Sequence, residues 1–440
     1  MISILPGVVV SITSYFLSQI LFVNCRLRIK PLISPLNWFL CLFFLQMVLV
    51  PFAVVLTGPS VVFLPFRPSN AAINAALLVN TVAYWSFCCA VQLLHEKSQT
   101  LTVVKKSDTS TQSWIPPIWV IVTYTIIGVT GIALRFGNVS TLVDYFTDPQ
   151  SYLIGRQAGI GGSATFAEAA STFLMPFFPF SLILLWCRGA YWKQKKGILP
   201  LILPPVLIVL VVLSSSLYGY NRAGFVIPMI AVAAVMAKRR VASGHLRLLA
   251  LGSFVAILLF IISSYRLLIT PQGEAVARQF TTTDISDYFQ DYGAAPQYLG
   301  FLLQSTNYME NPRLGQVLLS SALSPVPIIG KPFRQHSGNI IYGSLLGRGD
   351  QPVIFVGELL LDFSIFGVIG GFLTLGVCTS SMQNKYEISN EPFQTYAIQF
   401  ASICFSYFIV CGIEEVSQLL LVFLWPVYFF LLYRIIKKKY

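Results

Sequence analysis

Lys331, Arg334, His336 and Arg348 crowd the Pro- and Gly-rich stretch 321–350, in a chain where only 10% of residues are charged. Arg222 sits in Tyr220-Asn221-Arg222-Ala223-Gly224, where two apolar segments join through almost no loop. A guanidinium held in so tight a turn can grip a phosphate through two parallel hydrogen bonds. Its competing role is to snorkel to lipid headgroups or to pair with a nearby acid. Arg266 lies near the end of an apolar segment, where a buried charge is costly and points to function unless it snorkels. Arg156 and Arg278 complete the set, with Arg278 equally readable as a solvated loop charge. Cations converging on one site would suit a departing diphosphate, whose developing charge they stabilise best in a partly dry place.

Acids and a histidine accompany them. Glu358 and Asp362 in Val356-Gly357-Glu358-Leu359-Leu360-Leu361-Asp362 are four residues apart, hence on one helix face. Two acids in an apolar helix must meet a cavity, each other or arginines, and an ion-pair clamp to Arg222 or Arg266 competes with catalysis. Glu414 and Glu415 fall in a turn between two apolar segments, where one could act as a base or simply be solvated. His336 can take a proton from a hydroxyl near neutral pH, although a lone loop histidine more often does no chemistry. No cluster of His, Asp or Cys accompanies it, so neither a metal nor another cofactor is expected. Gly155–Gly162 is Gly-rich but lacks the strand–helix setting of a phosphate cradle.

The elements that must position these residues are apolar helices. The chain of 440 residues is 55% hydrophobic, with mean hydropathy +0.72. Apolar stretches near 20 residues recur, each long enough for a hydrocarbon core about 30 Å thick. The fold class is therefore an all-α polytopic membrane protein. About 11 transmembrane helices are expected, near 3–23, 34–57, 72–94, 114–134, 166–187, 198–217, 222–237, 248–269, 353–381, 393–412 and 416–433. The basic cluster Arg26, Arg28 and Lys30 follows the first apolar stretch, the reverse of a cleavable signal peptide, so that stretch counts as a span. The eight cysteines lie in or beside the spans without metal-type spacing and read as buried free thiols.

The net charge of +12 fits cytoplasmic loops better than nucleic acid. Nineteen Lys and Arg fall on one side, including Lys105, Lys193, Arg239 and Lys437, against Arg67, Arg135, Arg156 and Arg222 on the other. That bias places the N-terminus outside and the C-terminus inside. Residues 1–440 form one membrane domain, with a flexible cytoplasmic loop at 95–113 and a long external, periplasmic loop at 270–352. The long loop is expected to be partly helical and to lie on the bilayer, with Leu299, Phe301, Leu302 and Leu303 as apolar surface. A helix should open at Asn311-Pro312. The passage from Ser324 to Phe333 should be extended and stiff, holding Lys331 and Arg334 at the surface.

Three segments resemble bacterial O-antigen and exopolysaccharide polymerases of the Wzy type: the turn Tyr220–Gly224, the passage from Pro325-Val326-Pro327 to Lys331-Pro332, and the span from Gly357-Glu358 through Phe366-Gly367. The span count and the late periplasmic loop are similar as well. The chain departs in having Pro327-Ile328 where a Pro-Arg pair is frequent, and in lacking an external Arg followed eleven positions later by Gly. The resemblance implies a metal-independent glycosyltransferase in the bacterial inner membrane. It would pass a growing glycan from undecaprenyl diphosphate to the next lipid-linked repeat unit. Arg222, Arg334, His336 and Glu358 are then the catalytic candidates, and Arg156, Arg222, Arg266, Arg278, Lys331 and Arg334 the diphosphate-binding ones. Implied partners are the undecaprenyl diphosphate-linked oligosaccharide, membrane lipids and a chain-length regulator, with no nucleic acid. An O-antigen ligase acting on lipid A–core, a flippase of lipid-linked sugars and a non-catalytic assembly partner are the alternatives. Arg222→Ala and Arg334→Ala are expected to abolish chain growth while sparing membrane insertion, and wild-type glycan length in both would remove their assignment.

Overall fold

The computed structural model describes residues 4–24, 34–61, 64–102, 115–147, 166–191, 285–305, 312–326, 329–347, 353–389 and 391–439, with a few positions between 227 and 238. Those residues form helices and turns, without a strand among them. In chain order the helices are α1 (Leu5–Asn24), α2 (Pro35–Phe44), α3 (Val50–Thr57), α4 (Asn70–Thr102), α5 (Ile118–Phe136), α6 (Val139–Thr147), α7 (Phe166–Leu174) and α8 (Phe177–Tyr191). There follow α9 (Ile285–Tyr292), α10 (Pro296–Ser305), α11 (Gln316–Leu323), α12 (Lys331–Arg334), α13 (Gly338–Leu345), α14 (Phe355–Ile388), α15 (Pro392–Ser406), α16 (Ile413–Leu419) and α17 (Trp425–Lys439). Six stretches among the described residues are long and apolar enough to cross a membrane: α1, α2 through α3, α4, α5, the α7–α8 run and α14. Their apolar side chains do not all turn inward. Phe16, Ile20, Leu56 and Ile126 are each at least half exposed, as a lipid-facing surface requires and a water-facing one rarely shows. The expected spans 198–217 and 248–269, and nearly all of 222–237, lie outside the described residues.

The chain divides into two compact units. Unit 1 comprises residues 1–111, 283–388 and 402–418. Its core is aromatic: Phe39, Phe43, Tyr84, Phe87 and Phe372 are buried together. Phe43 meets Tyr84 at 4.8 Å and Phe87 at 5.1 Å between ring centroids. Between α2 and α3 the helix widens into a π-turn, Leu45–Leu49. Such a turn is filled from the side. There Ser11 Oγ donates to Met47 O at 2.9 Å, and the buried Gln46 donates to Ile409 O at 3.1 Å.

The segment expected to rest on the bilayer is instead built into this unit. Leu299, Phe301 and Leu302 of α10 belong to the same buried core as α4. A buried amide network fastens α9 and α10 to the α3–α4 connection. Gln290 donates to Gly58 O (3.0 Å) and accepts from Ser60 N (2.9 Å), and Gln297 donates to Gln290 Oε1 (2.8 Å). Two further expectations about this segment are corrected. Its next helix, α11, starts at Gln316 rather than at Asn311-Pro312, since residues 313–315 make a turn with Leu314 and Gly315 at positive φ. The Pro-rich passage is not extended. Gly330 N bonds Val326 O at 2.7 Å, and residues 331–334 coil into the one-turn helix α12.

The larger correction concerns 353–381, expected to be a single span. α14 breaks at Ser364, whose φ of 57° and ψ of −152° are not helical. The arm 355–363 folds back along the arm 365–388. Phe355 and Phe372 meet at a tilt with ring centroids 5.7 Å apart, whereas 17 residues of straight helix span about 25 Å. A Cβ at Gly367 would sit 2.6 Å from the Leu359 carbonyl oxygen, so the reversal depends on a bare backbone there.

Unit 2 comprises residues 112–282, 389–401 and 419–440. α5 packs on α7 and α8 around Tyr124, which meets Phe177 edge-on at 4.8 Å. Phe393 and Phe430 close to 4.4 Å. Three cations of the basic side each find an oxygen: Arg188 at Pro116 O (2.7 Å), Lys238 at Ser389 O (2.5 Å) and Arg434 at Glu391 Oε2 (2.8 Å). Each contact joins segments that the charge count assigns to one side. Among the described cysteines, Cys88, Cys187 and Cys404 are buried as expected, but Cys41 and Cys89 are exposed.

The reversal at Ser364 has a direct test. Spin labels at Phe355→Cys and Phe372→Cys, on a cysteine-free background, are expected to couple strongly by dipolar broadening. Labels separated by about 25 Å, the straight-helix spacing, would contradict the hairpin.

Candidate functional site

Asp362 and Glu358 are wholly buried on the short arm of α14. Each is engaged by a helix end. Helix N-termini leave backbone N–H groups without partners, and a carboxylate answers both their hydrogen bonds and the dipole. Asp362 accepts Val317 N (3.0 Å) and Leu318 N (2.7 Å) in the first turn of α11. In return, residues 313–314 cap the end of the short arm: Arg313 N donates to Leu361 O (3.1 Å) and Leu314 N to Asp362 O (3.0 Å). The two termini thus satisfy one another.

Glu358, a turn deeper, answers a second helix start in the same way. Its Oε2 accepts Ile413 N at 2.6 Å, at the start of α16. Glu415, third residue of that helix, reaches back to Gly412 N (3.1 Å) in the manner of a capping box. The other Glu415 oxygen accepts Asn339 Nδ2 at 2.8 Å, while Asn339 Oδ1 accepts Val353 N at 3.1 Å. Ser324 Oγ donates to Glu414 at 2.7 Å. Burial pushes the Glu415 carboxyl, in the turn ahead of the last expected span, above its usual range, opposed by the Asn339 hydrogen bond. The expected meeting of Glu358 and Asp362 with Arg222 or Arg266 falls outside the described residues.

Between these anchors lies the turn that carries the loop cations. Lys331 and Arg334 form α12, with Lys331 exposed and Arg334 half-buried. His336 is exposed, and Ser337, Gly338 and Asn339, which follow it, are buried. Gly338 N donates to Ser321 Oγ at 2.8 Å. A Cβ on Gly338 would sit 2.7 Å from Glu358 Oε1, and one on Gly412 would sit 3.1 Å from Oε2. Two glycines therefore close over the Glu358 carboxylate. Its Oε1 has no hydrogen-bond partner, nor has the buried Ser337 Oγ. The Ser321 hydroxyl stands beside the carboxylate without closing a bond to Oε1.

Of the expected site residues, Lys331, Arg334, His336 and Glu358 thus belong to one local assembly, built from 321–339, 353–362 and 411–415. Arg156, Arg222, Arg266, Arg278 and Arg348 lie outside the described residues, and so does their convergence on one external cavity. Ser337, Asn339 and Glu415 were not singled out as a group by the sequence. The available signal was Ser337-Gly338-Asn339, a helix-start pattern right after His336. Among the described residues no three His, Cys, Asp or Glu side chains gather to hold a metal ion. No protein-family model, curated protein or solved structure matches the chain.

The capping role of Asp362 predicts a measurable loss. Asp362→Ala leaves two buried N–H groups unanswered and is expected to cost about 1–3 kcal/mol, read as a lower thermal midpoint in detergent. An unchanged midpoint would show that α11 does not depend on this carboxylate.

Proposed function

We propose that the protein polymerises lipid-linked oligosaccharide repeat units, transferring the growing glycan from undecaprenyl diphosphate to the next unit. The reaction runs at the periplasmic face of a bacterial inner membrane, in a bundle of about eleven spans with the N-terminus outside. One observation supports this reading most. A surface turn bearing Lys331, Arg334 and His336 runs directly into the residues that cover a buried, half-satisfied carboxylate. Cations at a membrane surface suit the diphosphate, and a neighbouring acid suits the hydroxyl that attacks. Arg222, with Arg156, Arg266 and Arg278, would add to the positive side of that site.

A flippase of lipid-linked sugars is a second reading, favoured by the broken helix α14, since discontinuous helices commonly line transport sites. Purified protein in vesicles, given synthetic lipid-linked repeat units, separates the two. Ladders of lengthening glycan are expected. Transfer only to added lipid A–core would point to a ligase, and transbilayer movement without product to a flippase.

A further inference from the structure

We propose that Glu358 Oε1 is the proton acceptor for the attacking sugar hydroxyl, and that the Ser337-Gly338 backbone is the cover that admits it. This rests on the polymerase reading and deepens it. Two buried polar atoms, Glu358 Oε1 and the Oγ of Ser337 next to Gly338, lack hydrogen-bond partners. Both border Gly338, one as its neighbour in sequence and one 2.7 Å from where its Cβ would stand. A buried polar atom without a partner is costly and asks for a guest. An ionised carboxylate oxygen only accepts hydrogen bonds, while a serine hydroxyl can donate one. A sugar hydroxyl answers both, donating to Oε1 and accepting from Ser337 Oγ.

The remaining partners hold the carboxylate in place. Ile413 N–H fixes Oε2, so only Oε1 is left for chemistry. The charged groups acting on it are Glu415 and Glu414 on the 411–415 segment, and the covering turn carries Arg334 and His336 in its sequence. Of the two neighbouring glutamates, Glu415 has both oxygens engaged, and Glu414 accepts from Ser324 on Oε1 and has a further interaction of its own. In the step itself, the acceptor oxygen bonds to the anomeric carbon of the donor glycan. The bond from that carbon to the diphosphate oxygen breaks, leaving its electron pair on the phosphate. The hydroxyl proton passes to Glu358 Oε1, and water later removes it to restore the carboxylate.

The test uses the full-length protein in vesicles with synthetic lipid-linked repeat units. Glu358→Gln keeps the shape and an acceptor for Ile413 N–H but cannot take the proton. It is expected to slow chain lengthening by about 100-fold or more, and to abolish the fall in rate expected of the wild type on acidification. Ser337→Ala is expected to raise the KM for the acceptor about fivefold while keeping the pH profile, as loss of one hydrogen bond requires. Wild-type rate and pH profile in Glu358→Gln would overturn the assignment and leave the polymerase reading intact. If Glu358→Gln does not fold, an unchanged acceptor KM in Ser337→Ala overturns it instead. Absence of any lengthening by the wild type would sink the polymerase reading and this proposal with it.

Discussion

The assembly around Glu358 hangs on two helix ends that cap each other. Where α14 breaks at Ser364, the carbonyl groups of Leu361 and Asp362 lose the partners that a continuous helix would give them. Where α11 begins, the N–H groups of Val317 and Leu318 have the opposite need. Residues 313–318 meet both at once, through two backbone bonds to 361 and 362 and two to the Asp362 carboxylate. In an apolar surrounding, every such group must find a partner inside the protein. A break in a buried helix is therefore tolerated only where another chain segment fills it. Here the filling segment then carries α12 and α13, so the position of the loop cations follows from a capping requirement made some fifty residues away in sequence.

The same logic explains how two acids on one face can be buried with backbone N–H groups as their partners. Asp362 and Glu358 sit against the positive ends of α11 and α16. A carboxylate with two backbone donors is compensated, and Asp362 is in that condition. Glu358 is compensated on one oxygen only. That asymmetry separates the two acids more clearly than burial does, since both are fully enclosed. A purely structural acid would be expected to use both oxygens, as Asp362 and Glu415 do.

Local pattern made most of the apolar helices legible. The expected spans near 3–23, 34–57, 72–94 and 114–134 fall on α1, α2–α3, α4 and α5 within about two turns, because each is an apolar run with Ser, Pro or Gly near its ends. α4 overruns its span to Thr102 since Glu96, Lys97 and Gln99 are good helix formers once the apolar window has ended. The reversal at Ser364 was not legible. Both arms are apolar, so hydropathy sees one segment, and the turn itself consists of a single serine with positive φ. For the site, sequence placed Glu358 and Asp362 on one face but could not supply their partners. Those lie 55 and 45 residues away, on segments whose folding sequence spacing does not encode. The buried fate of Leu299, Phe301 and Leu302 was missed for a related reason: an apolar stripe suits a bilayer surface and a protein core equally.

Glycan transfer from a diphosphate asks for two environments that oppose each other. On the proposed reading the leaving group is highly charged and must be met by cations, and Lys331 is exposed on the turn. The attacking hydroxyl needs a base kept from water, since water admitted to the same place would hydrolyse the donor instead. A single open cleft would satisfy the first demand and defeat the second. A turn with cations on its outer residues and glycine and serine on its inner ones divides the two, with little more than a residue of backbone between them. Gly338 is then constrained from both directions: a larger residue would press on Glu358, and a more open turn would wet it. Under the proposed polymerase reading, the narrowness of the cover, rather than any one charge, would favour a sugar hydroxyl over water as the nucleophile.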